Sequence, residues 1–278
     1  MPYRHAHWWV LAVLGVIVLG FWPSYWSVAR TSPWQFHLHG MIATLWVVMV
    51  AAQSWTAHRK GWALHRASGQ ASLFLFPLLI AGLVAVMHKN AVAYGTGTGF
   101  LVPTYGPAFF GGLLVAAAAY VTLFYGALKW RRKVWSHSAF LLGTPVILFE
   151  SPFSRVLNRY VPGLVIEGPQ HVERAMHAIL LSDALMVGLC LILWRRAKGR
   201  SDAWAIVAGF VAAQMVVMGA LYFSGWKALD PLIAAVAALP VTGVVAVGLA
   251  IGGATSWLGW QAGKAPGRQR PTRSAVAA

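Results

Sequence analysis

Imidazole and carboxylate groups are what this chain has for binding metal or moving protons. It carries ten His, six Asp or Glu and a single Cys in 278 residues. The lone Cys190 rules out an internal disulfide and a cysteine-rich metal or cluster site. The absence of a CxxCH motif rules out covalently attached haem. The chain is 59% hydrophobic and only 10% charged, so these polar groups lie among apolar runs, where an ionisable group is costly and often functional.

The elements that must position them are apolar runs of about 20 residues, the length of a membrane-spanning helix. Eight stand out, over 8–27, 36–56, 69–87, 107–128, 136–158, 172–194, 203–224 and 231–257. The fold class expected is an all-α polytopic helical bundle in the membrane. Residues 1–260 form one transmembrane domain, and 261–278 form a basic, disordered cytoplasmic tail. The first run reads as a retained helix, because no small-residue cleavage site follows it.

Lys and Arg favour the cytoplasmic side. With both termini inside, 16 of the 22 basic residues fall in inner segments and 6 in outer ones. The net charge of +16 therefore reads as loop charge rather than a nucleic-acid surface. Most Trp residues, including Trp8, Trp9, Trp22, Trp62, Trp226 and Trp257, fall near run ends, as interfacial Trp does. The Gly-rich stretch from Lys89 to Pro107 and the turn-rich 161–170 read as outer connectors.

In this orientation His37, His39, His88, His171 and His177 lie on the outer side. His5, His7, His58, His65 and His137 lie on the inner side. Residues two apart on a helix point about 200° apart, so at most one of His37 and His39 can face inward. His39, Ala43, Trp46, Val50 and Gln53 share one stripe, which assigns His39 to the bundle interior and places it near His177. Asp183 falls near mid-membrane. Glu150 lies near the outer end of its run, where pairing with Arg155 or Arg159 would be a structural role. His65 and His137 both enter runs from the inner side and could converge, whereas His58 reads as an exposed interface residue.

His37-Leu38-His39-Gly40, with Trp46, Gln53 and the following Leu64-His65-Arg66-x-x-Gly69, resembles a family of bacterial predicted membrane proteins with an HxHG…HRxxG pattern. The likeness continues in the segment Arg131–His137 and covers roughly the first 160 residues. That family implies a topology but no activity. The pattern is also distantly similar to cytochrome b561-type proteins, in which His pairs on different helices hold haem near each face.

Three functional expectations arise. The first is an electron carrier with haem b held by His39 and His177 near the outer face, and by His65 with His137 near the inner face. The second is an outer-leaflet enzyme whose Zn, Cu or Fe is bound among His37, His39, His88, His171, His177, Glu150 and Asp183. The third is a non-catalytic subunit of a respiratory or photosynthetic membrane complex. A transporter reading rests on Asp183, Glu150 and a kink at Pro240. The expected partners are the lipid bilayer and a redox partner or larger membrane complex, with no nucleic acid, and the expected location is a bacterial inner membrane.

Overall fold

A computed structural model describes residues 2–264, and the tail 265–278 lies outside the described residues. Among the described residues there are nine α-helices and no strand. They are α1 (Ala6–Phe21), α2 (Trp34–His58), α3 (Trp62–Gly95), α4 (Val102–Lys129), α5 (Val134–Tyr160), α6 (Glu173–Ala197), α7 (Ala203–Phe223), α8 (Asp230–Ala238) and α9 (Val241–Ala262). Seven, α2 to α7 and α9, are long and apolar enough to cross a membrane. This is the build of an integral membrane protein.

The helix ends differ from the apolar runs for local reasons. α1 stops at Phe21, and Trp22 keeps helical angles, but Pro23 after it has no N–H to continue the helical ladder. The chain then makes a short 3₁₀ turn over Trp26–Thr31. α3 extends well past the apolar run at both ends, taking in His65 and Arg66 at one end and Lys89 and Asn90 at the other. Most of the supposed Gly-rich connector is consequently helix, and only 96–101 lies between α3 and α4. The last run is not one helix. Leu239 and Pro240 are extended, because Pro240 has no N–H to continue the ladder, and α8 and α9 separate there.

Successive helices run up and down, except that α8 and α9 descend together along α3. The connections 59–61, 130–133 and 198–202 share one end of the bundle with the amino terminus: Tyr3 packs edge-on against both Trp135 and Trp204, and Arg200 covers the Trp135 ring. The inner-segment Lys and Arg gather here, and we call this the basic end. α3 packs on α2, α4 and α9; α5 packs on α1, α4, α6 and α7. Four of these helices meet at a buried aromatic cluster. Trp46 of α2 lies against Phe76 of α3 and Phe124 of α4, at ring-centre distances of 5.5 and 5.2 Å. Its indole N–H donates to Thr144 Oγ1 of α5 at 2.8 Å. The stripe read from the sequence is buried here through Ala43, Trp46, Val50 and Gln53.

The α3–α9 contact depends on small residues. Gly248 and Gly252 lie against Ala81 and Pro77, and a Cβ on Gly248 would come within 2.7 Å of Ala81 Cα. Backbone cannot yield as a side-chain tip can. Gly252→Leu is therefore expected to cost about 1–3 kcal/mol, seen as a lowered melting temperature in detergent. Gly253→Ala, with open space around it, should be neutral or slightly stabilising.

Candidate functional site at the basic end

Two of the four histidines expected to pair come together. His65, in the first turn of α3, and His137, in the first turn of α5, have ring centres 6.4 Å apart and planes 79° apart. The local sequence explains why both rings turn inward. Each histidine sits just past a short connection, so its ring reaches back to the end of the preceding helix. His137 Nδ1 donates to the carbonyl of Ala127 at 2.8 Å. Ala127 lies in the last turn of α4, where carbonyls lack a helical N–H partner. His65 Nδ1 donates to the carbonyl of Gln53 in α2 at 3.2 Å.

A carbonyl only accepts, so both Nδ1 atoms carry the proton. In neutral imidazole this leaves Nε2 with a free lone pair. Neither Nε2 has a hydrogen-bond partner among the described residues. This is the arrangement of a ligating histidine, with one nitrogen anchored and the other bare.

Gln53 holds the site in register. It is buried, and its amide donates to the His65 carbonyl at 3.0 Å and to Ser68 Oγ at 2.9 Å. Arg131 closes the end. Its guanidinium donates to the carbonyls of Leu128 and Trp260, the last turns of α4 and α9, and lies over the Trp260 ring at 4.4 Å. A cation at two helix C-termini is favourably placed against their dipoles. Burial, and then Arg132 beside it, lower the Arg131 pKa.

Two cavities flank the histidine pair, of about 310 and 290 Å³. His65, His137, Gln53, Arg131 and Leu141 border both of them. The larger is completed by Tyr3, Val50, His58 and Trp62, the smaller by Met49, Phe124, Arg66 and Trp260. The walls are thus largely apolar, with cationic groups toward the basic end. His58 is half-buried and borders this space rather than standing exposed, and its Nδ1 donates to the Ser54 carbonyl at 2.7 Å. The sequence pointed to the two histidines and to Gln53. It gave no sign that Arg131 would bind two helix ends at once.

The expected outer pair does not form. α2 packs on α1, α3 and α5, while α6 packs on α5 and α7. His39 lies with its backbone against Gly82 of α3, whereas His177 is exposed and lies beside Phe223 of α7. The remaining outer residues are also dispersed. His37 is bonded to the Tyr25 hydroxyl at 2.8 Å, and His88 Nε2 donates to the Leu239 carbonyl at 2.9 Å, at the α8–α9 break. His171 lies 3.8 Å from Glu167. Among the described residues no three His, Cys, Asp or Glu side chains gather in a way that could hold a metal. Glu150 and Arg155 form no ion pair. Arg155 turns to the Ser151 carbonyl and the Phe21 ring, and Glu150 instead receives the Gln214 amide at 3.3 Å.

Comparison with protein-family models, curated proteins and solved structures gives no match.

The clamp on His65 is testable without knowing the ligand. Gln53→Leu removes the donor to both the His65 carbonyl and Ser68, and is expected to cost about 1–2 kcal/mol of stability. Because the two residues share one bond, the loss in Gln53→Leu/Ser68→Ala should be smaller than the sum of the single losses. Additive losses would show that the amide does not act through Ser68.

Proposed function

We propose that the protein is a membrane electron carrier that binds haem b at the basic end, with His65 and His137 as axial ligands. The observation that carries this reading is the pair of anchored imidazoles with bare Nε2 atoms between two cavities. Two metal–nitrogen bonds of about 2 Å each, with the half-widths of two rings, place ring centres roughly 6 Å apart. The observed 6.4 Å fits that span.

The cavities suit the rest of the group. Ligand pockets commonly measure about 300–1,000 Å³, and a flat macrocycle between the rings would draw on both spaces together. Leu141, Val50, Met49 and Phe124 offer apolar surface, while Arg131 and Arg66 would supply positive charge to acidic substituents of the group. When bound, haem supplies one-electron chemistry. The protein's share is to hold both imidazoles neutral and oriented through the Gln53 and Ala127 carbonyls, and to keep bulk water off the ring faces with Trp62 and Trp260.

The second haem expected from His39 and His177 is not part of this proposal. We propose one haem near the inner face of a bacterial inner membrane, exchanging electrons with a redox partner or a larger membrane complex there. The chain crosses eight times with both termini inside, α1 serving as a short first crossing. At 16 residues α1 is about 24 Å long, slightly under the hydrocarbon thickness of about 30 Å.

The absorption spectrum of full-length protein from haem-replete cells tests the first claim. A Soret band with α and β bands on reduction is expected, at about one haem per chain. His65→Ala or His137→Ala should abolish the low-spin spectrum, and His177→Ala should leave it intact. A wild-type protein without Soret absorption, or His137→Ala with an unchanged spectrum, would overturn the reading.

Topology is tested separately. Reporter fusions after residues 60, 130 and 198 are expected to read cytoplasmic, and those near 97 and 165 external. An external reading after 130 would contradict the eight-crossing arrangement.

A further inference from the structure

A second polar cluster lies deep in the bundle, away from the basic end. Asp183 is ten residues into α6 and Glu150 is ten residues from the end of α5. Both therefore stand about 15 Å below the far end of the bundle. Asp183 is only 1% exposed and Glu150 8% exposed. Gln214 of α7, also buried, donates its amide to Glu150 Oε2. Neither Asp183 Oδ1 nor Oδ2 has a hydrogen-bond partner among the described residues, though Glu150 is within electrostatic range.

Glu150 thus has the Gln214 amide and the Ser154 hydroxyl beside it, whereas Asp183 has no donor among the described residues. The charged and titratable groups around Asp183 are few. α5 contributes Glu150 and Arg155, and Arg155 is bonded to Ser151 rather than to either acid. α7 contributes no charged side chain; its polar groups here are Gln214 and, at the far end of the helix, Tyr222. α6 itself carries the exposed His177 a turn and a half toward the same end. Burying a second carboxylate beside Glu150 with no donor of its own, as Asp183 is buried, is strongly unfavourable unless something neutralises it. Unsatisfied buried groups of this kind in folded proteins are commonly answered by a water or ion.

We propose that Asp183, Glu150 and Gln214 form a site for one small monovalent cation, sodium or a proton, in the interior of the bundle. Both Asp183 oxygens, the second Glu150 oxygen and the Gln214 amide oxygen are hard donors from three helices, suited to a hard cation. The occupant cancels one negative charge and ties α5, α6 and α7 together. The site shares no residue with the His65–His137 pair, so its failure would leave the haem reading untouched.

Thermal unfolding of the full-length protein in detergent is the test. Sodium chloride is compared with choline chloride at equal ionic strength, at neutral and at acid pH. Bound cation stabilises the folded state by mass action. With sodium as occupant, sodium but not choline raises the melting temperature at neutral pH. With a proton as occupant, acidification raises it and sodium does nothing. In either case Asp183→Asn removes the dependence, and Glu150→Gln weakens it. The proposal is overturned if wild type shows neither dependence, or if Asp183→Asn retains it. If that variant does not fold, infrared spectra of wild type labelled with ¹³C-aspartate decide the question. A labelled carboxylic-acid band, or a labelled carboxylate band that moves on sodium addition, supports the site; neither overturns it.

Discussion

The bonds from His65 and His137 to the carbonyls of preceding helices are the constraint on which the basic end depends. They join α3 to α2 and α5 to α4, across the two connections that bring the chain back into the bundle. Each bond satisfies or shares a carbonyl near a helix end and fixes a tautomer at the same time. A ring held by water instead would be free to turn, and neither bare nitrogen would have a defined direction. The helix C-termini gathered here, of α2, α4 and α9, present the negative ends of their dipoles. Positive charge at this end, on Arg131 or on a bound metal, is favoured by that arrangement.

Several polar groups elsewhere in the bundle follow the same rule. In an apolar setting each polar group needs a partner inside the protein. Trp46 finds Thr144 and so pins α2 to α5 under the histidine pair. His88 donates to Leu239 where Pro240 has broken the last helix, so a histidine that looks like a ligand in the sequence is occupied by structure. Tyr25 does the same for His37. Asp183 and His39 stand apart from these, because neither the Asp183 oxygens nor His39 Nδ1 meets such a partner among the described residues.

The long apolar helices were legible in the sequence, since a run of about 20 apolar residues has few other uses. Their ends were less so. α3 continues through His65, Arg66, Lys89 and Asn90, because polar residues at a membrane surface do not stop a helix. The His39–Gln53 stripe gave the buried face of α2 correctly from Ala43 onward, because helical periodicity fixes direction around one axis. The pairing of His39 with His177 failed for the complementary reason. Depth along two helices was readable, but which helices are neighbours was not, and α2 and α6 face different partners. His65 and His137 were within reach of sequence reasoning because short connections at one end leave few choices. Arg131 was not, since a basic loop residue looks alike whether it meets solvent or binds two helix ends.

The His65 and His137 rings stand nearly at right angles, and the proposed haem would be held between them. Electron paramagnetic resonance of the oxidised full-length protein reads that geometry directly. Near-perpendicular imidazole planes leave the two iron d orbitals of π symmetry nearly equal in energy. The account predicts a strongly anisotropic low-spin ferric signal dominated by one low-field feature, lost in His65→Ala and in His137→Ala. A rhombic low-spin signal with three well-resolved features, as parallel planes give, or no low-spin ferric signal, would contradict it.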